Sequence, residues 1–154
     1  MSDNQLPQVV IAKEDAVFWM DRFGQWHNAG GRFRHKKIID HFNASIRKDE
    51  NGYFVEQIRE TVHEKVYFRY EETPLFVVEV SDNDPIQLGL NTGEIIFLKP
   101  DQLFVHADSL YLKKDGECIK FSDRVLMQLS MYIDFDGEAY FFQSGNERHH
   151  IPQQ

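Results

Sequence analysis

The chain has 154 residues, 42% hydrophobic, 14% aromatic and 27% charged, with a net charge of −8. That composition suits one folded domain, or two very small ones, and excludes a disordered or low-complexity protein. The acidity excludes bulk binding to duplex nucleic acid, whose affinity comes from neutralised phosphates, and the single cysteine, Cys118, excludes a disulfide framework within the chain.

Taken in order, AVFWMDRFGQWHNAG reads as two strands about a turn at Arg22–Gly24. Ile38, Ile39, Phe42 and Ile46 then fall at i, i+1, i+4 and i+8, one face of a helix starting near Arg34 or His35. RKDENG is expected to close that helix, and Tyr53-Phe54-Val55 to open another strand. In VHEKVYFRY, Val62, Val66, Phe68 and Tyr70 alternate with His63, Lys65, Tyr67 and Arg69, a half-buried strand. LFVVEV is expected to be a strand buried on both faces. IQLGL, the turn NTG and EIIFL form a hairpin.

LYLKKDGECIKF repeats the strand–turn–strand plan. Ser122 is a good N-cap for SDRVLMQLSMYI, with Asp123 in its first turn and Val125, Leu126, Leu129, Tyr132 and Ile133 as the apolar face. FDGEAYFF turns at Asp136-Gly137 into a last strand, and the termini, MSDNQLP and NERHHIPQQ, read as loosely tied. The pattern from Gly24 to Val55 thus recurs from Gly116 to Phe142. The fold class expected is α+β: two hairpin-plus-helix units around mostly antiparallel sheet, with subdomains at residues 1–60 and 61–154.

Charge is unevenly spread. Residues 1–70 hold eleven Lys/Arg against ten Asp/Glu, whereas residues 71–154 hold six against fifteen. With one cysteine, no apolar run of signal-peptide length and no stretch long enough for a membrane span, a soluble cytoplasmic protein with no membrane partner is expected.

GGRFRHKKIIDHF places Arg32, Arg34, His35, Lys36 and Lys37 at a helix start, the end that disfavours cations. Two readings stand: a solvated helix start paired with Asp40 or with the acidic half, or a site for a small anion beside Gly30-Gly31. Trp26 is either core or a stacking platform beside His27. Glu64 shares the face of Val66 and Phe68, and wants a buried partner such as Arg34 or Arg69. Asn91-Thr92-Gly93 is a turn whose side chains could add polar contacts. The seven histidines show no HExxH or HxH spacing, so no metal site is expected. Cys118 sits mid-strand beside Glu117, which does not activate a thiol.

In order along the chain, WHNAGG…HKKIIDHF, I-RKDENGYFVEQ, VHEKVYFRYEETPLFVVEV, LGLNTGE and a closing helix before YFFQSGN resemble an uncharacterised bacterial family, domain of unknown function 1285. The matching positions are Trp26, Gly30, Arg34, Gly52, Tyr53, Glu64, Lys65, Val66, Glu72, Pro74, Asn91 and Gly93, within a resemblance covering about residues 15 to 152. The chain departs from the family's pattern at Val62-His63 and at Leu75. The resemblance implies a duplicated α+β core with a C-terminal part like a pleckstrin-homology domain. It also implies a ligand site between the halves, a nucleotide-like ligand and a role in signal transduction.

The function expected is therefore a non-enzymatic ligand-sensing module for a small, nucleotide-like anion. Arg32, Arg34 and Lys36 would supply charge beside Gly30 and His27, Trp26 stacking, and Glu64, Lys65 and Asn91 polar contacts. No catalytic residue, cofactor or metal is assigned. The alternatives are a protein-interaction module using a sheet edge or the acidic C-terminal face, and, with least support, a hydrolase working through His27 or His63.

Overall fold

The structure, a computed structural model, describes residues 6–154. Its contacts divide the chain into two compact units that meet between Pro74 and Leu75. The sequence placed the division at 60/61. It falls later because the strand His63–Tyr67 hydrogen-bonds along Phe54–Ile58 and so is tied to the first unit.

In the first unit, β1 (Gln8–Ile11), β5 (Ile46–Asp49), β6 (Gly52–Ile58) and β7 (His63–Tyr67) form a sheet in the order β1-β7-β6-β5. Strand β1 runs parallel to β7, and the other pairings are antiparallel. A meander of β2 (Phe18–Met20), β3 (Trp26–Asn28) and β4 (Gly31–Arg32) makes a second sheet, and α1 spans Lys36–Ala44. Gly24 closes the β2–β3 turn with φ 80°, and Asp21 Oδ1 accepts from the N–H groups of Phe23 and Gln25. Met20 N–H donates to Arg69 C=O at 3.0 Å, which fastens the meander to the chain beyond β7.

The core of this unit is aromatic. Phe18, Met20, Trp26, Phe54, Val55, Val66 and Phe68 are all buried. Phe42 on α1 meets Phe18, Trp26 and Phe33 edge-on, which explains the helix's apolar spacing. The helix ends earlier than the spacing predicts. Ser45 caps it, donating from Oγ to His41 C=O, and Ile46 is the buried first residue of β5. RKD, expected to close the helix, is thus strand.

The second unit holds a six-stranded sheet in the order β10-β9-β8-β13-β12-β11. Its strands are β8 (Phe76–Ser81), β9 (Gln87–Leu90), β10 (Ile95–Phe97), β11 (Leu103–His106), β12 (Ser109–Lys114) and β13 (Glu117–Phe121). Strand β8 is buried on both faces only at Phe76 and Val77, after which exposure alternates. Helix α2 (Asp123–Leu129) follows, with a 3-10 turn at Ser130–Tyr132. Its start is as the sequence predicts: Ser122 Oγ accepts from Val125 N–H at 3.3 Å, and Asp123 lies in the first turn.

A three-stranded sheet of β14 (Ile133–Phe135), β15 (Tyr140–Ser144) and β16 (Glu147–Ile151) completes this unit. The C-terminal segment, expected to be loose, is therefore tied down. Ile151 is buried, and Val105 exchanges backbone hydrogen bonds with Pro152 and Gln154. Leu88, Leu103, Leu110, Leu112, Phe121, Val125, Leu129 and Phe142 are among the residues of one continuous core.

The fold is α+β, mostly antiparallel. Hairpin, helix and a further hairpin recur in both units in chain order. Their sheet partners differ: β5–β6 extend to β7 and β1, whereas β14–β15 pair with β16.

Candidate functional site

The basic segment wraps a hollow in the first unit. Asn28 Oδ1 accepts from Gly30 N–H at 2.9 Å, turning the chain from β3 into β4. Gly31 follows with φ 112°, a conformation that side-chain-bearing residues avoid. Strand alternation then sends Phe33 against Phe42, ring centroids 5.0 Å apart, and leaves Arg32 and Arg34 exposed on the opposite side. The hollow has a volume of about 330 Å3, with Asn28, Arg32, Arg34 and His35 as its polar lining and Phe33 and Ile38 as its apolar lining. Arg32 and Arg34 also border a neighbouring hollow of about 410 Å3 floored by Trp26 and Ile39.

Helix α1 opens onto this hollow. His35 stands at its N-cap with extended backbone, but its side chain accepts no bond from the first turn, and that turn contains no acidic residue. One basic residue is neutralised: Lys36 Nζ lies 2.6 Å from Asp40 Oδ2, an exposed pair one helical turn apart. Arg32 donates to Gln25 Oε1 at 3.2 Å, a neutral partner. Among the described residues, Arg34, His35 and Lys37 make no hydrogen bond or ion pair through their side chains. Lys36 thus pairs with Asp40 as the helix-start reading expects, and Arg34, His35 and Lys37 are exposed beside it.

Trp26 is not a platform. Its side chain is 1% exposed, enclosed by Phe18, Phe42 and Phe68, and its Nε1–H donates to Asn43 Oδ1 at 2.7 Å. The accessible indole is that of Trp19, 41% exposed and lying parallel to the His27 ring at 5.8 Å between centroids. The sequence reading missed it because Trp19 and His27 lie eight positions apart in the hairpin and meet only through the register of β2 on β3. His27 Nε2 lies 2.8 Å from Asp21 Oδ2. Burial alone would raise the Asp21 carboxyl. The hydrogen bonds it accepts from His27 and from the N–H groups of Gln25 and Phe23 outweigh that and hold it below its ordinary value of 3.8.

Glu64 and Lys65 serve other contacts. Glu64 Oε1 lies 3.7 Å from Arg59 Nη2, so its partner is neither Arg34 nor Arg69. Lys65 and Tyr67 share a face of β7, and both reach Asp49 Oδ2, at 3.4 and 2.6 Å. The Tyr67 hydroxyl is the main reason the Asp49 carboxyl is held down, and the same bond raises the tyrosine. Asn91 belongs to the second unit. Its Oδ1 accepts from Phe76 N–H at 3.0 Å and its N–H donates to Phe76 C=O at 2.9 Å, locking the β9–β10 turn to β8. The expected set thus separates: Gly30, Arg32 and Arg34 border the hollow, while Trp26, Glu64, Lys65 and Asn91 have structural partners. The sequence set omitted Asn28, Phe33, His35 and Ile38 from the hollow's lining. The Asn-Ala-Gly-Gly turn was the signal for the first.

Among the described residues, no three His, Cys, Asp or Glu side chains converge as a metal site, and no helix is long and apolar enough to cross a membrane. No family model matches the chain, and no curated protein is significantly similar to it. Two solved structures are. A DUF1285 family protein from Silicibacter pomeroyi DSS-3 superposes with a TM-score of 0.60 at 12% identity, over 96% of this chain and 83% of that one. A DUF1285 family protein from Shewanella baltica OS155 superposes with a TM-score of 0.52 at 18% identity, over 75% of this chain and 91% of that one. At these identities the likeness is one of architecture, and the chain has the fold of the DUF1285 proteins.

Proposed function

We propose that this protein is a non-enzymatic binding module whose first unit takes a small anionic, nucleotide-like ligand in the hollow beside α1. One observation carries the reading. Arg34, His35 and Lys37 gather at an uncapped helix N-terminus without a carboxylate partner among the described residues, next to a turn of two glycines. The Arg34 and Lys37 charges there oppose the helix dipole, at a cost of about 0.3–1 kcal/mol each at low salt. An anion would reverse the sign of that term and accept from backbone N–H groups at the same time. Ile38 and Phe33 give the apolar side that a ring system needs. The ligand site is thus assigned to the first unit alone, with Arg32, Arg34 and His35 as its contacts.

The test is a thermal-shift screen of the whole chain against nucleotides, cyclic dinucleotides and short oligonucleotides. A ligand at about 100 times its dissociation constant adds about 2.7 kcal/mol, a rise of roughly 5–10 °C for a chain of this size. Arg34→Ala should abolish the rise while leaving the unliganded melting temperature in place. No rise across the panel, or an undiminished rise in an Arg32→Ala/Arg34→Ala double variant, overturns the reading.

A protein-interaction module is the second reading, favoured by β10. It is an edge strand of the six-stranded sheet, and Ile95 and Phe97 turn outward from it, 68% and 51% exposed.

A further inference from the structure

A cavity of about 490 Å3 lies wholly within the second unit, between the loop after β8 and the β15–β16 hairpin. Its floor is made by Ile86, Leu98 and Phe142, all members of that unit's core. Tyr132 stands beside them, stacked on Phe142 at 5.6 Å between centroids, with its hydroxyl donated to Asp82. The rim carries Asp82, Asp84 and Glu147, and neither Lys nor Arg lines the cavity. The Glu147 carboxylate meets His149, which also lines the cavity, at 3.2 Å, while Asp84 has no hydrogen bond or ion pair among the described residues.

These surfaces select a ligand class. An anion would face three carboxylates and no guanidinium or ammonium. A bare metal ion would find no convergent ligand set among the described residues. A purely apolar guest would cover the floor but gain nothing from the rim. A cation on a hydrocarbon stem satisfies both parts, since aliphatic and aromatic surface rewards the stem, and carboxylates and a tyrosine ring reward the charge. The volume lies within the usual range of small-ligand sites, about 300–1,000 Å3.

We propose that this cavity binds an alkylammonium group, its stem on Ile86, Leu98 and the Tyr132–Phe142 stack and its charge among Asp82, Asp84 and Glu147. The group could come from a free diamine or from a lysine side chain, and the test separates them. The site shares no residue with the anion hollow, so Arg34→Ala leaves it intact.

The experiment is an amide-resolved NMR titration of the whole chain with 1,5-diaminopentane, with Nα-acetyl-lysine methylamide and with pentane-1,5-diol as the uncharged control. Saturable shifts at Ile86, Leu98 and Phe142 with either amine, absent with the diol and suppressed by high salt, are expected. Stronger binding of the acetylated lysine amide identifies a protein lysine as the source, and stronger binding of the diamine a free amine. Asp84→Asn/Glu147→Gln should weaken binding at least about tenfold, the scale of one lost charged hydrogen bond. No shifts with either amine, equal shifts with the diol, or unchanged affinity in the double variant overturns the proposal. The diol comparison needs no variant and so does not depend on the variant's folding.

Discussion

Trp26→Ala separates the two roles the sequence left open for that residue. A buried tryptophan removes about 150–250 Å2 from water. At about 25 cal/mol per Å2 this amounts to about 4–6 kcal/mol, which a compact unfolded state trims by roughly 10–40%. The ring is 1% exposed and held by Phe18, Phe42 and Phe68, so truncation leaves a cavity in the aromatic core. The expected loss is about 3–5 kcal/mol, as for other large aromatic truncations. Urea unfolding followed by far-UV circular dichroism measures it without relying on Trp19, the other tryptophan. Trp26→Phe isolates the polar part: it keeps a ring but strands Asn43 Oδ1, which now accepts from Nε1–H at 2.7 Å, at about 1–3 kcal/mol. Adding Asn43→Ala should recover part of that loss, because the orphaned acceptor goes with it. A Trp26→Ala cost below about 1 kcal/mol, together with a vanished ligand response, would refute the core role and restore the platform.

Two further outcomes follow from the same unit. His35→Asp should stabilise the chain by about 0.5–2 kcal/mol, because His35 occupies an N-cap with suitable extended backbone and makes no cap bond; the same change should weaken anion binding, and an unchanged or lower urea midpoint would count against the dipole argument. The Asp21 carboxyl is depressed in the folded state, so its contribution is present above its ordinary value of 3.8 and is lost as pH falls through the lower folded value. The stability difference between wild type and Asp21→Asn should therefore be constant from about pH 6 to 5 and close below that; a gap that widens in acid would reverse the sign.

What was legible in the sequence was burial, more than the elements doing the burying. Ile46 fits the helical spacing of Ile38, Ile39 and Phe42, and it is indeed buried, but as the first residue of β5. A side chain one turn beyond a helix end can reach the same core from a strand, and spacing cannot tell the two apart. Hairpins whose turns carry glycine at positive φ were readable because the turn chemistry is local: Gly24, Gly93 and Gly116 all lie where the sequence placed them. Strand β16 was not, since Arg148, His149 and His150 carry no apolar alternation. Its order comes from backbone pairing to β15 and, through the residues after it, to Val105. The candidate site divided in the same way. Gly30, Arg32 and Arg34 are neighbours in sequence and stay neighbours in space, whereas the uses of Trp26, Glu64 and Asn91 depend on partners 5 to 42 residues away, Asn43, Arg59 and Phe76 among them.

The two α-helices among the described residues start differently, and the contrast bears on the proposed function. Helix α2 begins with a serine cap and an aspartate in its first turn, each favouring the helix. Helix α1 begins with a histidine that caps nothing, follows Arg34 and opens with Lys36-Lys37, and of these Lys36 alone has a carboxylate partner among the described residues, in Asp40. The start of α1 is exposed at His35, Lys36 and Lys37, so packing does not force it. Nothing in the α1 core requires cations there either, since Phe42 and Ile39 set its packing and the basic side chains point away from it. Helix α2 also carries an early cation, Arg124, but it donates to Val78 C=O, whereas Arg34 and Lys37 have no side-chain partner among the described residues and cost α1 stability. The hollow that Arg32, Arg34 and His35 border is where an anion would return that stability on binding.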